Sequence, residues 1–116
     1  MTRWAGRLPG VGLAALLFAT WGAAAGPPEG VAIVASRAGF RPQTVSARKG
    51  DNLRLLLTSA DGEHCFALDA YRVEKRILPG KTTTVELVLE RAGSFPFYCC
   101  LEPGNQALHG KLIVSE

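Results

Sequence analysis

The sequence predicts an all-β domain, a Greek-key β-sandwich of roughly seven to eight short strands. Short apolar or alternating segments recur at close intervals along the chain, and turns containing Gly or Pro separate them. No segment after residue 25 repeats its apolar residues with the period of a helix. Internal repeats and low-complexity tracts are also absent, so we expect one domain.

The first predicted strands lie at residues 31–35, 44–47 and 53–58. The first and third are rich in apolar residues, and the second alternates between polar and apolar side chains. Lys49-Gly50-Asp51 precedes the third strand, and its glycine and aspartate are residues typical of a turn. A fourth strand at 64–68 follows a second such turn at Asp61-Gly62, and alternation places His64 and Cys65 on opposite faces of the strand.

The remaining predicted strands lie at residues 72–77, 82–89, 95–99 and 110–115. Leu78-Pro79-Gly80 and Ala92-Gly93 supply the turns between them. Val85 and Leu87 alternate with the polar Thr84 and Glu86, which is typical of a strand with one buried face.

Residues 1–25 have the features of a secretory signal peptide. Arg3 and Arg7 give a positive start, residues 11–21 form an apolar run, and Ala23-Ala24-Ala25 provides small residues for cleavage. The apolar run is too short for an uncleaved membrane span. We therefore expect cleavage after Ala25, a mature domain at 26–116, a periplasmic or secreted location, and no membrane attachment after cleavage.

The charge of the predicted mature domain excludes some partners. Removing Arg3 and Arg7 from the 13 basic residues leaves 11, against 10 acidic residues interspersed among them. Such a balance gives no basic face for nucleic acid or an anionic membrane. We predict no enzymatic activity, because the sequence has neither a serine, histidine and carboxylate arrangement nor a glycine-rich phosphate loop.

All three cysteines lie in the predicted exported part, where disulfides persist. Their odd number leaves two alternatives: one disulfide with one remaining thiol, or thiols kept reduced by a soft metal such as Cu(I). A bridge from Cys65 to Cys99 or Cys100 would close a loop of about 35 residues and add roughly 3 to 4 kcal/mol of stability. A bridge between Cys99 and Cys100 would require a strained ring.

The last third of the chain carries the strongest functional signal. Phe97-Tyr98-Cys99-Cys100 ends a strand, Pro103-Gly104-Asn105 forms a short loop, and Leu108-His109-Gly110 leads into the last strand. Together with the distant His64, this arrangement predicts a soft-metal site at one end of the sandwich, because thiolate and imidazole select copper or zinc.

The order and spacing of these motifs resemble the cupredoxins over nearly the whole predicted mature chain. The variety most similar is the small periplasmic single-domain kind, related to the cupredoxin-like domain of iron-uptake lipoproteins and to the copper domain of oxidase subunit II. The resemblance is carried by Gly39-Phe40-x-Pro42, Thr44-Val45, Lys49-Gly50-Asp51, His64-x-Phe66, Leu78-Pro79-Gly80, Ala92-Gly93-Ser94-Phe95, Phe97-Tyr98-Cys99, Pro103-Gly104 and Gly110-x-Leu112.

The resemblance implies copper ligands at some positions and departs from the family at others. The upstream histidine ligand matches His64, and the thiolate ligand matches Cys99. The loop histidine of the family falls on Asn105, and the axial methionine falls on Leu108. Asparagine is a poor ligand for copper and leucine is none, so a blue-copper site cannot be assembled from these positions.

Two residues near the loop are candidate substitutes. His109 is a candidate second imidazole and Cys100 a candidate second thiolate, so the predicted metal set is His64, Cys99, Cys100 and His109. Two sulfur and two nitrogen donors suit Cu(I) or Zn. The dinuclear site of oxidase subunit II requires two cysteines separated by three residues, whereas Cys99 and Cys100 are adjacent.

From these observations we expect an exported copper-binding protein that carries or buffers Cu(I), or that transfers electrons through an atypical site. Its partners would be the copper ion and a periplasmic or membrane-bound redox or metal-transport protein. Two alternatives remain open. One is a metal-free structural or interaction module accessory to a metal-uptake or oxidase system, and the other is a thiol redox protein.

Overall fold

The computed structural model describes residues 29–116, which form a sandwich of two β-sheets. The predicted signal peptide lies outside the described residues. The described residues form nine strands: β1 (Glu29–Ser36), β2 (Gly39–Arg41), β3 (Thr44–Arg48), β4 (Asn52–Ser59), β5 (His64–Leu68), β6 (Val73–Ile77), β7 (Thr83–Val88), β8 (Gly93–Tyr98) and β9 (His109–Ser115). Single 3-10 turns at Asp69–Tyr71 and Gln106–Leu108 join strands of the second sheet. The predicted all-β sandwich is confirmed.

One sheet has the strand order β2-β1-β4-β7, and the other has the order β3-β9-β8-β5-β6. Two pairs are parallel, β1 with β4 and β3 with β9, and the other pairs are antiparallel. Sequence neighbours such as β2 and β3 therefore belong to different sheets. The eight predicted strands all have counterparts, and only β2 is additional, because three residues are too few to show a periodic pattern.

Alternation of side chains explains why these segments form strands. In β4, Leu53, Leu55 and Leu57 are buried while the residues between them are partly exposed. The first two of these pair across the sheet with Leu87 and Val85, the buried residues of β7, which shows the same alternation. In contrast, all five residues of β5 are buried, because β5 lies inside its sheet between β8 and β6.

Three phenylalanines form the aromatic centre of the core. Phe40, Phe66 and Phe97 lie with ring centroids 5.0 to 6.1 Å apart, and at most 3% of each residue is exposed. Phe40 meets each of the other two rings edge-on, and such contacts add to the free energy gained from burial. Phe66 and Phe97 belong to β5 and β8, the two strands that lead to the predicted metal ligands.

Within residues 29–116, the structure has no helix with the length and apolar character that a membrane span requires.

Candidate metal centre

Three of the four predicted ligands, His64, Cys99 and Cys100, lie where β5 begins and β8 ends, on neighbouring antiparallel strands, and the fourth, His109, begins β9. Ala67 pairs with Tyr98, and two positions further along, the α-carbons of Cys65 and Cys100 are 5.1 Å apart. We call the face of this sheet that carries Cys65 and Tyr98 the outer face, and the face that packs against the other sheet the inner face. Because side chains alternate, His64 belongs to the inner face.

His64 is buried, with 3% of its surface exposed. Its Nε2 lies 2.6 Å from Oδ1 of Asp61, an exposed residue in the preceding turn. The same carboxylate accepts hydrogen bonds from the backbone N–H groups of Arg37, at 2.9 Å, and Gly62, at 2.6 Å. These contacts, with the Arg37 N–H as the largest contribution and His64 second, lower the pKa of Asp61 from 3.8 to about 2.

An ionised carboxylate can only accept hydrogen bonds, so Nε2 of a neutral His64 must carry the hydrogen. The lone pair is then on Nδ1. This atom is buried and has no hydrogen-bond partner in the described part of the chain. Buried polar atoms normally have a partner, so the unsatisfied Nδ1 marks a place where a hydrogen-bond donor or a metal ion would be accommodated.

Cys99 is the free thiol of the described chain and is fully buried. It follows β8 immediately, and its position after the outer-facing Tyr98 directs its side chain to the inner face. Its backbone N–H donates a hydrogen bond to the carbonyl of Leu108 at 3.1 Å, which fixes the start of the loop against its end. His64 and Cys99 therefore share the inner face on adjacent strands.

Cys100 does not join this pair. It forms a disulfide with Cys65 on the outer face, across the neighbouring strands. Of the alternatives left open by the sequence, the structure has one disulfide and one remaining thiol. In this oxidised form Cys100 offers no thiolate, so the predicted four-residue ligand set loses one sulfur. Cys100 lies apart from Cys99 because adjacent residues of an extended segment point to opposite faces.

His109 is also placed apart from His64 and Cys99. It pairs with Tyr98 across β8 and β9, stacks on that ring with centroids 5.9 Å apart, and so belongs to the outer face. Its Nε2 lies 2.9 Å from the carbonyl oxygen of Pro103. Burial of the Tyr98 ring, and then the Asp69 carboxylate near its hydroxyl, raise the pKa of that tyrosine.

The two positions where the family has further ligands have structural roles here. Asn105 precedes the 3-10 turn, accepts a hydrogen bond from the backbone N–H of Ala107 at 3.1 Å, and donates one to Glu102 at 3.2 Å. Leu108 is fully buried in the core. Neither position therefore supplies a copper donor on the inner face.

The inner-face donors fit Cu(I) and do not fit a blue-copper centre. One imidazole nitrogen and one thiol are available, whereas a blue site requires two imidazoles and a thiolate in one plane. Cu(I) is soft and accepts low coordination numbers, so the pair His64 Nδ1 and Cys99 Sγ suits it.

The sequence analysis missed the contact between Asp61 and His64 and treated Asp61 only as part of a turn. The available signal was a carboxylate close before a candidate ligand histidine, because such carboxylates orient the imidazole.

Comparison with known proteins agrees with this architecture. The family model described as "Cupredoxin-like domain" matches residues 10–114. The match begins inside the segment predicted to be a signal peptide and ends within β9.

Curated relatives share part of their length with this chain. It is 28% identical over 90 residues to cytochrome c oxidase subunit 2 of Thermus thermophilus, a match that covers 74% of this chain and 65% of the relative. A second subunit 2 from a Thermus thermophilus strain is equally similar, with 52% of its length covered. The chain thus spans less than two thirds of these relatives.

Three solved structures illustrate the similarity of fold. The periplasmic domain of oxidase subunit II (CoxB) of Bradyrhizobium japonicum has a TM-score of 0.66 at 16% identity, with 75% of this chain and 83% of that chain covered. The metal-binding domain of the Streptococcus pneumoniae D39 Cu(I)-exporting ATPase CopA, solved with Cu(I), has the same TM-score and identity, with coverages of 75% and 85%. Auracyanin A, a "blue" copper protein of Chloroflexus aurantiacus, has a TM-score of 0.61 at 15% identity, with coverages of 77% and 100%.

Proposed function

This chain belongs to the cupredoxin-like domain family, and on that basis we propose that it binds one Cu(I) ion between Nδ1 of His64 and Sγ of Cys99. The observation that carries the proposal is the unsatisfied, buried Nδ1 on the same face as a buried free thiol. A bound ion would satisfy the nitrogen and keep the thiolate from oxidation.

Asp61 would orient the ligand. Its carboxylate accepts the Nε2 hydrogen, which holds the ring in the tautomer whose Nδ1 has a free lone pair. Partners of this kind raise the basicity of a metal-binding histidine and fix the direction of the ring. The chain therefore contains the supporting contact that a working ligand histidine requires.

The donor set favours carriage or buffering of Cu(I) over rapid electron transfer. Cu(II) prefers additional nitrogen donors, and the loop positions that would supply one hold Asn105 and the buried Leu108. Oxidation of the bound ion would thus lack the ligands that stabilise the product. A soft, low-coordinate site instead holds the ion as cargo.

We further propose an extracytoplasmic location and a membrane-bound copper or redox protein as partner. The predicted signal peptide supports the location. Support for the partner comes from the curated oxidase subunit 2 relatives and from the fold shared with a domain of a Cu(I) exporter.

A Cu(I) competition titration tests the proposal. Purified protein with its disulfide intact is titrated anaerobically against a chromophoric Cu(I) chelator, and the bound copper is counted. We expect one Cu(I) per chain in the parent protein. Cys99→Ser should lose most of the affinity, and His64→Ala should lose somewhat less, because the thiolate is the stronger donor for Cu(I).

His109→Ala is the matched control, since it removes the other histidine of the chain from the outer face. Its affinity for Cu(I) should equal that of the parent protein. A Cys99→Ser variant that competes as well as the parent would refute the site, and a parent protein that binds no Cu(I) would favour a metal-free module.

A further inference from the structure

We propose that Cys65, Cys100 and Glu74 form a second metal site on the outer face, available only when their disulfide is reduced, and that its ligand is a divalent cation of the zinc class. The site uses none of the residues assigned to Cu(I). It is therefore independent of the proposed function.

The three side chains converge on one point. Their ligand atoms, two sulfurs and a carboxylate oxygen, all lie within 4.8 Å of one another. The strand register explains the convergence: Glu74 of β6 pairs with Ala67 of β5, which lies two residues from Cys65 on the same face. Cys100 approaches from the other side of β5, at the end of β8.

The outer face leaves two of the three groups accessible. Glu74 is exposed and Cys100 is half-buried, whereas Cys65 is buried, so a reductant and a hydrated ion can reach the site from the side of Cys100 and Glu74. Within residues 29–116, none of the ion pairs includes Glu74. Arg76 lies opposite Cys65 on the neighbouring strand β6, and the carboxylate of Glu63 balances its positive charge through an ion pair.

The donor types select the cation. Zn²⁺ is borderline in softness and accepts both thiolate sulfur and carboxylate oxygen in a four-coordinate site, with water able to occupy the fourth position. Cu(I) would use the two sulfurs alone, and Mg²⁺ or Ca²⁺ would use the carboxylate alone. The combination of two thiolates with one carboxylate thus points to Zn²⁺.

Reduction controls the site through a balanced exchange. A dithiol transfers two electrons and two protons to the Cys65–Cys100 bond, which breaks to give two thiols, and the reductant closes to its own disulfide. Binding of Zn²⁺ then releases both thiol protons to solvent. While the disulfide is closed, neither sulfur is a thiolate, and the site cannot form.

The test uses a Cys99→Ala background, so that the inner thiol contributes nothing. One sample stays oxidised. The other is reduced with a phosphine, which becomes its oxide, and is desalted without oxygen; mass spectrometry verifies the change. Zn²⁺ is then titrated against a chromophoric chelator. Cd²⁺ is added in parallel, because its charge-transfer absorption reports the number of thiolates bound.

We expect one Zn²⁺ per reduced chain and none per oxidised chain, with two thiolates bound to Cd²⁺. Glu74→Gln should weaken Zn²⁺ binding by at least about tenfold. Glu90→Gln is the matched control, since Glu90 is exposed and belongs to no ion pair in the described region, and it should bind as tightly as the background protein.

Equal Zn²⁺ binding before and after reduction would overturn the proposal, as would equal binding by Glu74→Gln and Glu90→Gln. Circular dichroism accompanies each titration, and loss of the folded spectrum on reduction would also overturn it, because the site requires a folded reduced domain. None of these results affects the Cu(I) titration, which is performed with the disulfide closed.

Discussion

Oδ1 of Asp61 lies 2.6 Å from Nε2 of His64, while the other ring nitrogen of that histidine is buried without a partner. The exposed carboxylate thus determines which nitrogen of a buried ring can bind a metal ion. A residue outside the core sets the chemistry of one inside it.

Removal of this carboxylate should weaken Cu(I) binding at the proposed site. We expect Asp61→Ala to lower Cu(I) affinity by about tenfold, because the ring loses the partner that fixes its tautomer and direction. Anaerobic competition titration measures the change. Asp69→Ala, which removes an acidic residue that contacts Tyr98 on the outer face, should leave the affinity unchanged; equal losses in both variants would indicate a general effect of charge.

Acid should remove the stabilisation that Asp61 provides. Its pKa is about 2 in the folded protein, below the ordinary 3.8, so the unfolded chain takes up the proton more readily. The contribution is therefore fully present above about pH 4 and is lost as the pH falls through about 2. Urea unfolding should show parent and Asp61→Asn differing in stability near neutral pH and converging toward pH 2. A gap that stays constant would contradict the assignment.

Cu(II) should give no intense blue colour with the parent protein. That absorption requires a thiolate in a trigonal site with two imidazoles and a weak axial donor, and the inner face offers one imidazole. Visible spectroscopy after addition of Cu(II) measures it. A strong blue band would mean that another nitrogen completes the site.

Restoring the missing donors should create the colour. We expect the double variant Asn105→His, Leu108→Met to turn blue with Cu(II) and to hold it more tightly than the parent protein. Leu108→Met alone is the control and should stay colourless, because it adds a thioether and no imidazole, in a swap that conserves side-chain volume. A folded but colourless double variant would show that position 105 does not point toward Cys99.

Loss of the disulfide should destabilise the domain substantially. Cys65 and Cys100 are 35 residues apart, and opening a loop of that length lowers the free energy of unfolding by roughly 3 to 4 kcal/mol. Urea denaturation of Cys65→Ser, Cys100→Ser should show this decrease. Reduction of the parent protein should produce a similar decrease, whereas the variant should be insensitive to reductant. A double variant as stable as the oxidised parent would disprove the estimate.

Gly110 should tolerate no side chain. A Cβ at this position would lie 2.5 Å from two atoms of the Phe97 ring and would also overlap the carbonyl oxygen of Gln43. We expect Gly110→Ala to lower the free energy of unfolding by about 1 to 3 kcal/mol. Gly104→Ala is the matched control, since a Cβ there meets no atom within 4 Å. Similar unfolding midpoints for the two variants would contradict this reading.

The sequence was sufficient to predict the sandwich and to place His64 on a strand. Alternation and turn residues are local signals, and they identified eight of the nine strands. The family resemblance identified Cys99 from a local signal too, because the cysteine directly follows the aromatic pair Phe97-Tyr98. These predictions needed no knowledge of which strands are neighbours.

The roles of Cys100 and His109 depended on register between distant strands, which local patterns do not encode. His109 belongs to the outer face because it pairs with Tyr98, and Cys100 reaches Cys65 because β5 and β8 are adjacent. Similarly, the unsatisfied nitrogen of His64 follows from a contact with Asp61 that only the folded chain reveals.

Cys99 and Cys100 are adjacent in the sequence, but their side chains lie in two different environments. The Cys99 sulfur is buried in the core as a free thiol, and the Cys100 sulfur forms a disulfide with Cys65 of β5 on the opposite face. Inserting or deleting a single residue within β8, with pairing otherwise kept, would exchange the faces on which the two cysteines lie, since a shift of one residue turns every side chain to the other face. Which of the two cysteines is buried on the inner face and which faces outward thus depends on the number of residues in β8, which makes β8 the segment where redesign can change this assignment.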